Sequence, residues 1–291
     1  MWLIMGTSPQ LPEAELIYGE YSVEGANVIG ANGHVLHLER GVETLATAAS
    51  LVCKHKGVDL PHLLCAGDKG KGDGSSKLYD YLAQNLRELK PQGITFHYLF
   101  PDVDGHNKVL MAIEDYALNY QRPTLVADAG FMYVAKMSGY ADYYDLFTPD
   151  MGEMAFLADE KAPHPFYTRG FLLDNTDSAE ELLSRAYEHG NVAKNLIIKG
   201  STDYVVQANN ILAKINSPSV PSMEAIGGTG DLVTGITTGL LAAGFTISDA
   251  SLIAVKTNRV LAKLAKPSPA TQVHELTPYL CAALEEVLRK C

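Results

Sequence analysis

The stretch IGGTGDLVTG (226–235) sets Gly227, Gly228 and Gly230 around Thr229 and places one carboxylate, Asp231, directly behind them. Beyond it Leu232, Val233, Ile236, Leu240 and Leu241 follow helical spacing, so the turn predicts a helix N-terminus. Backbone N–H groups at such a terminus lack intrahelical acceptors and carry the positive end of the helix dipole, and glycines remove the Cβ atoms that would hold a phosphate away. Gly227, Gly228, Thr229 and Gly230 are therefore candidates for an anion hole. Asp231 has no part in phosphate binding, which it would oppose; a base beside a transferred phosphoryl group explains it. The structural alternative makes Thr229 an N-cap and Asp231 a favourable charge for the dipole. A glycine motif this short does not choose between them.

Two further segments carry chemistry. In TPDMGE (148–153), Asp150 and Glu153 lie three apart after a proline that ends an apolar run. On a helix N-terminus they would share one side and could hold hydrated Mg²⁺, with Gly152 between them; the alternative is a capping pair, Asp150 as N-cap and Glu153 at N3. In KGST (199–202), Lys199 with the hydroxyls of Ser201 and Thr202 could meet phosphate oxygens, or the segment could be an ordinary turn into a hairpin.

These segments need a frame that brings them together. Apolar runs of buried-strand length, 62–67, 94–100, 123–130, 144–149 and 195–200, alternate with helical patterns at 39–56, 75–89, 106–120, 177–189, 230–243, 248–265 and 276–290. Strand and helix in alternation predict an α/β sandwich, a mostly parallel sheet covered on both faces, with ligands outside the carboxyl ends of the strands. Residues 1–36 show no clear period and read as an irregular segment, a lid or an oligomer contact; 159–176 read as a surface loop. One domain over 1–291 is expected.

Composition narrows the function. With 34 acidic against 23 basic residues the net charge is −11, and no basic stripe follows a nucleic-acid backbone. Neither a basic leader nor a long apolar run opens the chain, so no membrane anchor and a cytoplasmic protein are expected. Cys53, Cys65, Cys281 and Cys291 form no CxxC pair and read as reduced thiols. His34 and His37 lack a third ligand, and Trp2, Tyr143 and Tyr144 read as packing residues.

In order and rough spacing, TPDMGE, IIKGSTDYVV and GGTGDLVTGITTGLLAAG resemble the ribokinase-like superfamily, and within it the ADP- or ATP-dependent NAD(P)H-hydrate dehydratases. The resemblance runs from about residue 55 to 265. It implies an α/β/α sandwich that removes water from hydrated NADH or NADPH, using a nucleotide and Mg²⁺. It makes Asp231 the residue that activates the substrate hydroxyl, Gly227 to Gly230 the anion hole, Lys199 and Gly200 neighbours of the nucleotide phosphates, and Glu153 a holder of metal-bound water. Asp128, in VADAG, matches the first aspartate of a DADAL-type strand end and would contact substrate. Where the family reads TPHPGE, this chain has Asp150 and Met151 in place of His and Pro. Its glycine- and lysine-rich stretch at 65–77, containing AGDKGKGDGSSK, fits no Walker A pattern; Lys69, Lys71 and Lys77 there either attract an anion or solubilise a turn. A small-molecule kinase of hydroxymethylpyrimidine or hydroxyethylthiazole type is the second reading, and a nucleotide-sensing member without activity the third. Homo-oligomers are expected.

Overall fold

The computed structural model describes residues 1–160 and 178–290. The loop expected at 159–176 lies almost wholly outside them, as do residue 177 and Cys291.

Among the described residues one nine-stranded sheet organises the chain. Its middle is parallel: β1 (Trp2–Glu13), β6 (His62–Gly67), β7 (Gly93–His97), β8 (Thr124–Ala127), β9 (Leu146–Phe147) and β10 (Asn195–Ile198). The hairpin β11 (Asp203–Gln207) and β12 (Asn210–Ile215) extends one edge, and β2 (Leu16–Gly19) closes the other, antiparallel to β6. The strand order is β12-β11-β10-β9-β8-β7-β1-β6-β2. Strands β3 (Tyr21–Glu24), β4 (Asn27–Gly30) and β5 (Val35–His37) form a separate small sheet.

Two helical layers cover the large sheet. One contains α2 (Asp73–Leu89), α3 (Val103–Ala117), α4 (Gly130–Met137), α5 (Met151–Ala158) and α6 (Ala179–Glu188); the other contains α1 (Val42–Lys56), α7 (Thr229–Ala242), α8 (Ile247–Ala265) and α10 (Leu280–Leu288), with the short α9 (Val273–Leu276). Alternation along β1 shows why both layers form. Leu3 and Met5 enter the first core, whereas Trp2 and Ile4 enter the cores on the opposite face. Gly235 and Gly239 in α7 permit the close helix approach that their spacing suggested: a Cβ on either would lie 2.7 Å from Ala48 Cβ or Val52 Cβ of α1.

The N-terminal reading is corrected. Residues 2–37 are five strands, and β1 pairs with β6 on one side and β7 on the other near the middle of the sheet. Buried on both faces, WLIMG shows no polar alternation, so its period gives no strand signal. The five parallel strands expected from sequence all form, one over the whole of 62–67 and the other four shorter than expected. His34 and His37 share no helix; His34 pairs with Glu15 and His37 with Asn27. Trp2 is packed, its indole N–H donating to Thr95, and Tyr144 is fully buried. Cys53 and Cys65 are buried and unpaired, and Cys281 is also free. No described helix is long and apolar enough to cross a membrane.

Candidate active site

The carboxyl ends of β7, β8, β9 and β10 meet the N-terminus of α7. Gly228, with φ 91° and ψ −7°, turns the chain into α7 with no side chain capping it. Thr229 is not a cap: its hydroxyl donates to the carbonyls of Met223 and Ile226. Asp231 also turns away from its own helix end. Its Oδ2 accepts the Gly41 N–H at 2.6 Å, and its Oδ1 lies 3.2 Å from His97 Nε2. Among the described residues no protein acceptor satisfies the N–H groups of Gly227 to Gly230, and the turn is partly exposed.

Lys199 reaches this turn from the end of β10, with Nζ 3.5 Å from where a Cβ on Gly230 would stand. KG and GGTGD, 27 residues apart in the motifs of the chain from Gly200 to Gly227, thus converge on one point. Nζ also pairs with Asp128 Oδ1 at 2.9 Å. Burial alone would lower the Lys199 pKa; Asp128 and Glu153 overcome it and raise it. Asp128 is 1% exposed and has both oxygens engaged, Oδ1 by Lys199 and the Ala129 N–H, Oδ2 by the Thr234 hydroxyl at 2.6 Å. Burial would raise its pKa, yet Lys199 and His97 hold it well below the usual carboxylate range. Asp128, expected to contact substrate, is buried among Lys199, Thr234 and the Ala129 N–H, with His97 3.5 Å away.

His97, at the end of β7, is a member of this cluster that sequence reading did not single out. Its ring is fully buried, with Nδ1 3.5 Å from Asp128 Oδ2 and Nε2 facing Asp231. Burial would lower its pKa, but Asp231 first and Asp128 with it hold it at about 9. ITFHYLF reads as a buried strand, and the two partners lie 31 and 134 residues further on, so no local spacing marks this histidine. Glu43 of α1 is a third buried acid, hydrogen-bonded by the Ser8 hydroxyl, with burial pushing it up to about 7. Arg40 was also missed; its Cα lies 3.3 Å from a Cβ built on Gly228.

Asp150 and Glu153 form the capping box of α5, Glu153 N–H to Asp150 Oδ1 and Asp150 N–H to Glu153 Oε2, both at 2.8 Å. Burial raises the Glu153 pKa, opposed by Lys199. Gly152 lies in the first turn of that helix. Ser201 is exposed, Thr202 is half-buried, and the Gly200 N–H donates to Asp203. Arg259 holds the carbonyls of Gly200 and Ser201. The 65–77 stretch is closed on itself: Asp68 Oδ1 accepts the N–H groups of Gly70, Lys71 and Gly72, and Oδ2 accepts the N–H and hydroxyl of Ser75. Lys69, Lys71 and Lys77 are exposed.

The architecture is that of the ribokinase-like α/β sandwiches. Phosphofructokinase-2 of Escherichia coli superposes with a TM-score of 0.54 at 13% identity, covering 98% of this chain and 99% of the other. YxkO of Bacillus subtilis does so with a TM-score of 0.52 at 16% identity, covering 99% and 91%. The chain belongs to the NAD(P)H-hydrate dehydratase family, whose model matches residues 104–284, more than half its length. An uncharacterized protein of Methanocaldococcus jannaschii is 38% identical over 228 residues, 78% of this chain and 92% of that one. The bifunctional NAD(P)H-hydrate repair enzyme of Dictyoglomus turgidum is 24% identical over 94% of this chain and 51% of its own length. The ADP-dependent (S)-NAD(P)H-hydrate dehydratase of Cenarchaeum symbiosum is 27% identical over 50% of this chain and 44% of its own.

Proposed function

We propose that the protein is a nucleotide-dependent NAD(P)H-hydrate dehydratase. A phosphoryl group passes from ADP or ATP to the hydroxyl of hydrated NADH or NADPH. The phosphate ester then loses phosphate from one ring carbon and a proton from the next, which restores the double bond of the reduced nicotinamide. The open N–H groups at Gly227 to Gly230 receive the phosphate, Lys199 beside Gly230 offsets its charge, and Asp231 accepts the proton of the attacked hydroxyl. The observation that carries this reading is the direction of Asp231. A capping aspartate would bond its own helix N-terminus, whereas this one faces Gly41 and His97 and leaves the turn open.

The donor set near α5 fits hydrated Mg²⁺, a hard cation that takes oxygen ligands. Each of Asp150 and Glu153 has one carboxylate oxygen outside the capping box. Glu153 would hold the ion through water, and Mg²⁺ when bound would neutralise phosphate charge. Ser201 and Thr202 would close the nucleotide side.

The test is incubation with hydrated NADH and either ADP or ATP, following recovery of reduced-nicotinamide absorbance. Recovery with nucleotide consumption supports the reading. Nucleotide consumption with an alcohol substrate and no recovery would favour the small-molecule kinase.

A further inference from the structure

His97 sits where neutral histidine chemistry does not suffice. Its backbone pairs with Gly6 of β1, and a Cβ on Gly6 would lie 2.7 Å from the His97 carbonyl. The Tyr98 ring packs edge-on at 4.4 Å between centroids. Around the imidazole stand the charged groups of Asp128 from the end of β8, Asp231 from α7 and, by its charge, Glu43 from α1; Lys199 lies beyond, on Asp128. A neutral imidazole has one N–H donor and one lone pair, so it serves one carboxylate and turns a lone pair on the other. The protonated ring carries an N–H on each nitrogen, and its positive charge lies 3.5 Å from one carboxylate and 3.2 Å from the other, although neither nitrogen makes a hydrogen bond. With Lys199 it balances the two aspartates, two positive charges against two negative, with the imidazole itself fully buried.

We propose that His97 is the positioning residue for the base: its ring, spanning Asp128 and Asp231, fixes the Asp231 carboxylate from behind and keeps a positive charge beside it when nucleotide phosphates fill the glycine turn. The proposed dehydratase supplies the reaction to which this applies; the charge arrangement stands without it. Oδ2 is held by the Gly41 N–H and Oδ1 lies 3.2 Å from the ring, so both contacts draw the carboxylate away from its own helix terminus. Catalytic geometry is then set before substrate arrives. The same three residues offer ligand atoms within 4.8 Å of one another. A metal would need a ring nitrogen free of its proton, whereas each nitrogen here faces a different carboxylate and Lys199 already occupies Asp128.

The test combines charge state and kinetics on the full chain. With ¹⁵N-labelled histidine, the wild-type spectrum at neutral pH should show one buried ring with both nitrogens protonated, assigned by its loss in His97→Gln. A single protonated nitrogen, or a stoichiometric metal in the purified protein that His97→Gln loses, overturns the proposal. In a folded His97→Gln, kcat should fall about 10²-fold, nucleotide KM should hold, and the acid limb of the kcat profile should move to higher pH. A structural role would lower melting temperature and leave that limb in place, which also overturns it. Should His97→Gln not fold, loss of one ring N–H signal in Asp231→Asn, against its retention, gives the same decision. If wild type fails to restore NADH, the dehydratase reading falls while the charge measurement still decides on His97.

Discussion

Two glycine turns in this molecule start from the same backbone and end in opposite roles. Gly72 enters α2 with φ 90° and ψ −4°, and Gly228 enters α7 with φ 91° and ψ −7°; neither has a side-chain cap. At the first, Asp68 reaches into the turn and takes four N–H groups and a hydroxyl, so the anion is part of the protein. At the second, the nearest carboxylate is drawn off by Gly41 and His97, and the turn keeps its donors open. A glycine turn at a helix start is thus only a capacity for anions. The position of the neighbouring acid decides whether it becomes a joint or a site.

The largest difference should come from exchanging the acids one at a time. Asp231→Asn is expected to lower kcat by roughly 10²–10⁴, the usual share of general-base catalysis, with the protein still folded. Asp68→Ala should leave kcat of the surviving protein near wild type and instead lower stability by about 1–3 kcal/mol, because the buried Ser75 and three loop N–H groups lose their acceptor. Chemical denaturation beside steady-state kinetics separates the two; near-normal turnover in Asp231→Asn would erase the contrast.

Next in size is the seat of the open turn. Gly235→Val should cost about 1–3 kcal/mol by driving α7 into α1, measured as a drop in melting temperature. An unchanged melting temperature would show that α1 does not set the position of α7.

A smaller effect follows from protons. His97 has its folded-state pKa raised from 6.5 to about 9, so its contribution to stability is complete below pH 6.5 and is lost as pH rises toward 9. Glu43, raised from 4.5 to about 7, acts in the same direction over pH 4.5–7, because the folded protein holds its proton longer than the unfolded chain does. Stability should therefore decline from mildly acidic to alkaline pH, and His97→Gln should flatten the upper part. The smallest effect belongs to Lys69→Ala and Lys71→Ala, exposed side chains on the closed turn, for which nucleotide Kd should not change.

The sequence showed one half of this contrast and concealed the other. Alternation of strand and helix revealed the sandwich, and glycine followed by helical spacing revealed the α7 terminus, because both are local periodic signals. Asp68 gave no sign of filling its own loop, since GDKGKGDG reads equally well as an open turn. His97 was invisible because its meaning lies in partners brought together by three different elements. β1 escaped because a strand buried on both faces has no polar period. Asp150 and Glu153 were readable as a capping pair, and that pair is present; spacing alone carries no information on a metal.

If the turn at 227–230 receives the nucleotide phosphate while the turn at 66–74 does not, the two glycines should respond differently to a Cβ. The matched pair Gly228→Ala and Gly72→Ala tests it, since both substitutions place a Cβ at a left-handed glycine, with Arg40, Glu39 and Val273 3.3 Å away at the first and Phe100 3.1 Å away at the second. ADP or ATP binding should be measured by calorimetry on the two folded variants. The account predicts a loss of affinity in Gly228→Ala with wild-type affinity in Gly72→Ala; equal affinities, or the reverse order, would contradict it.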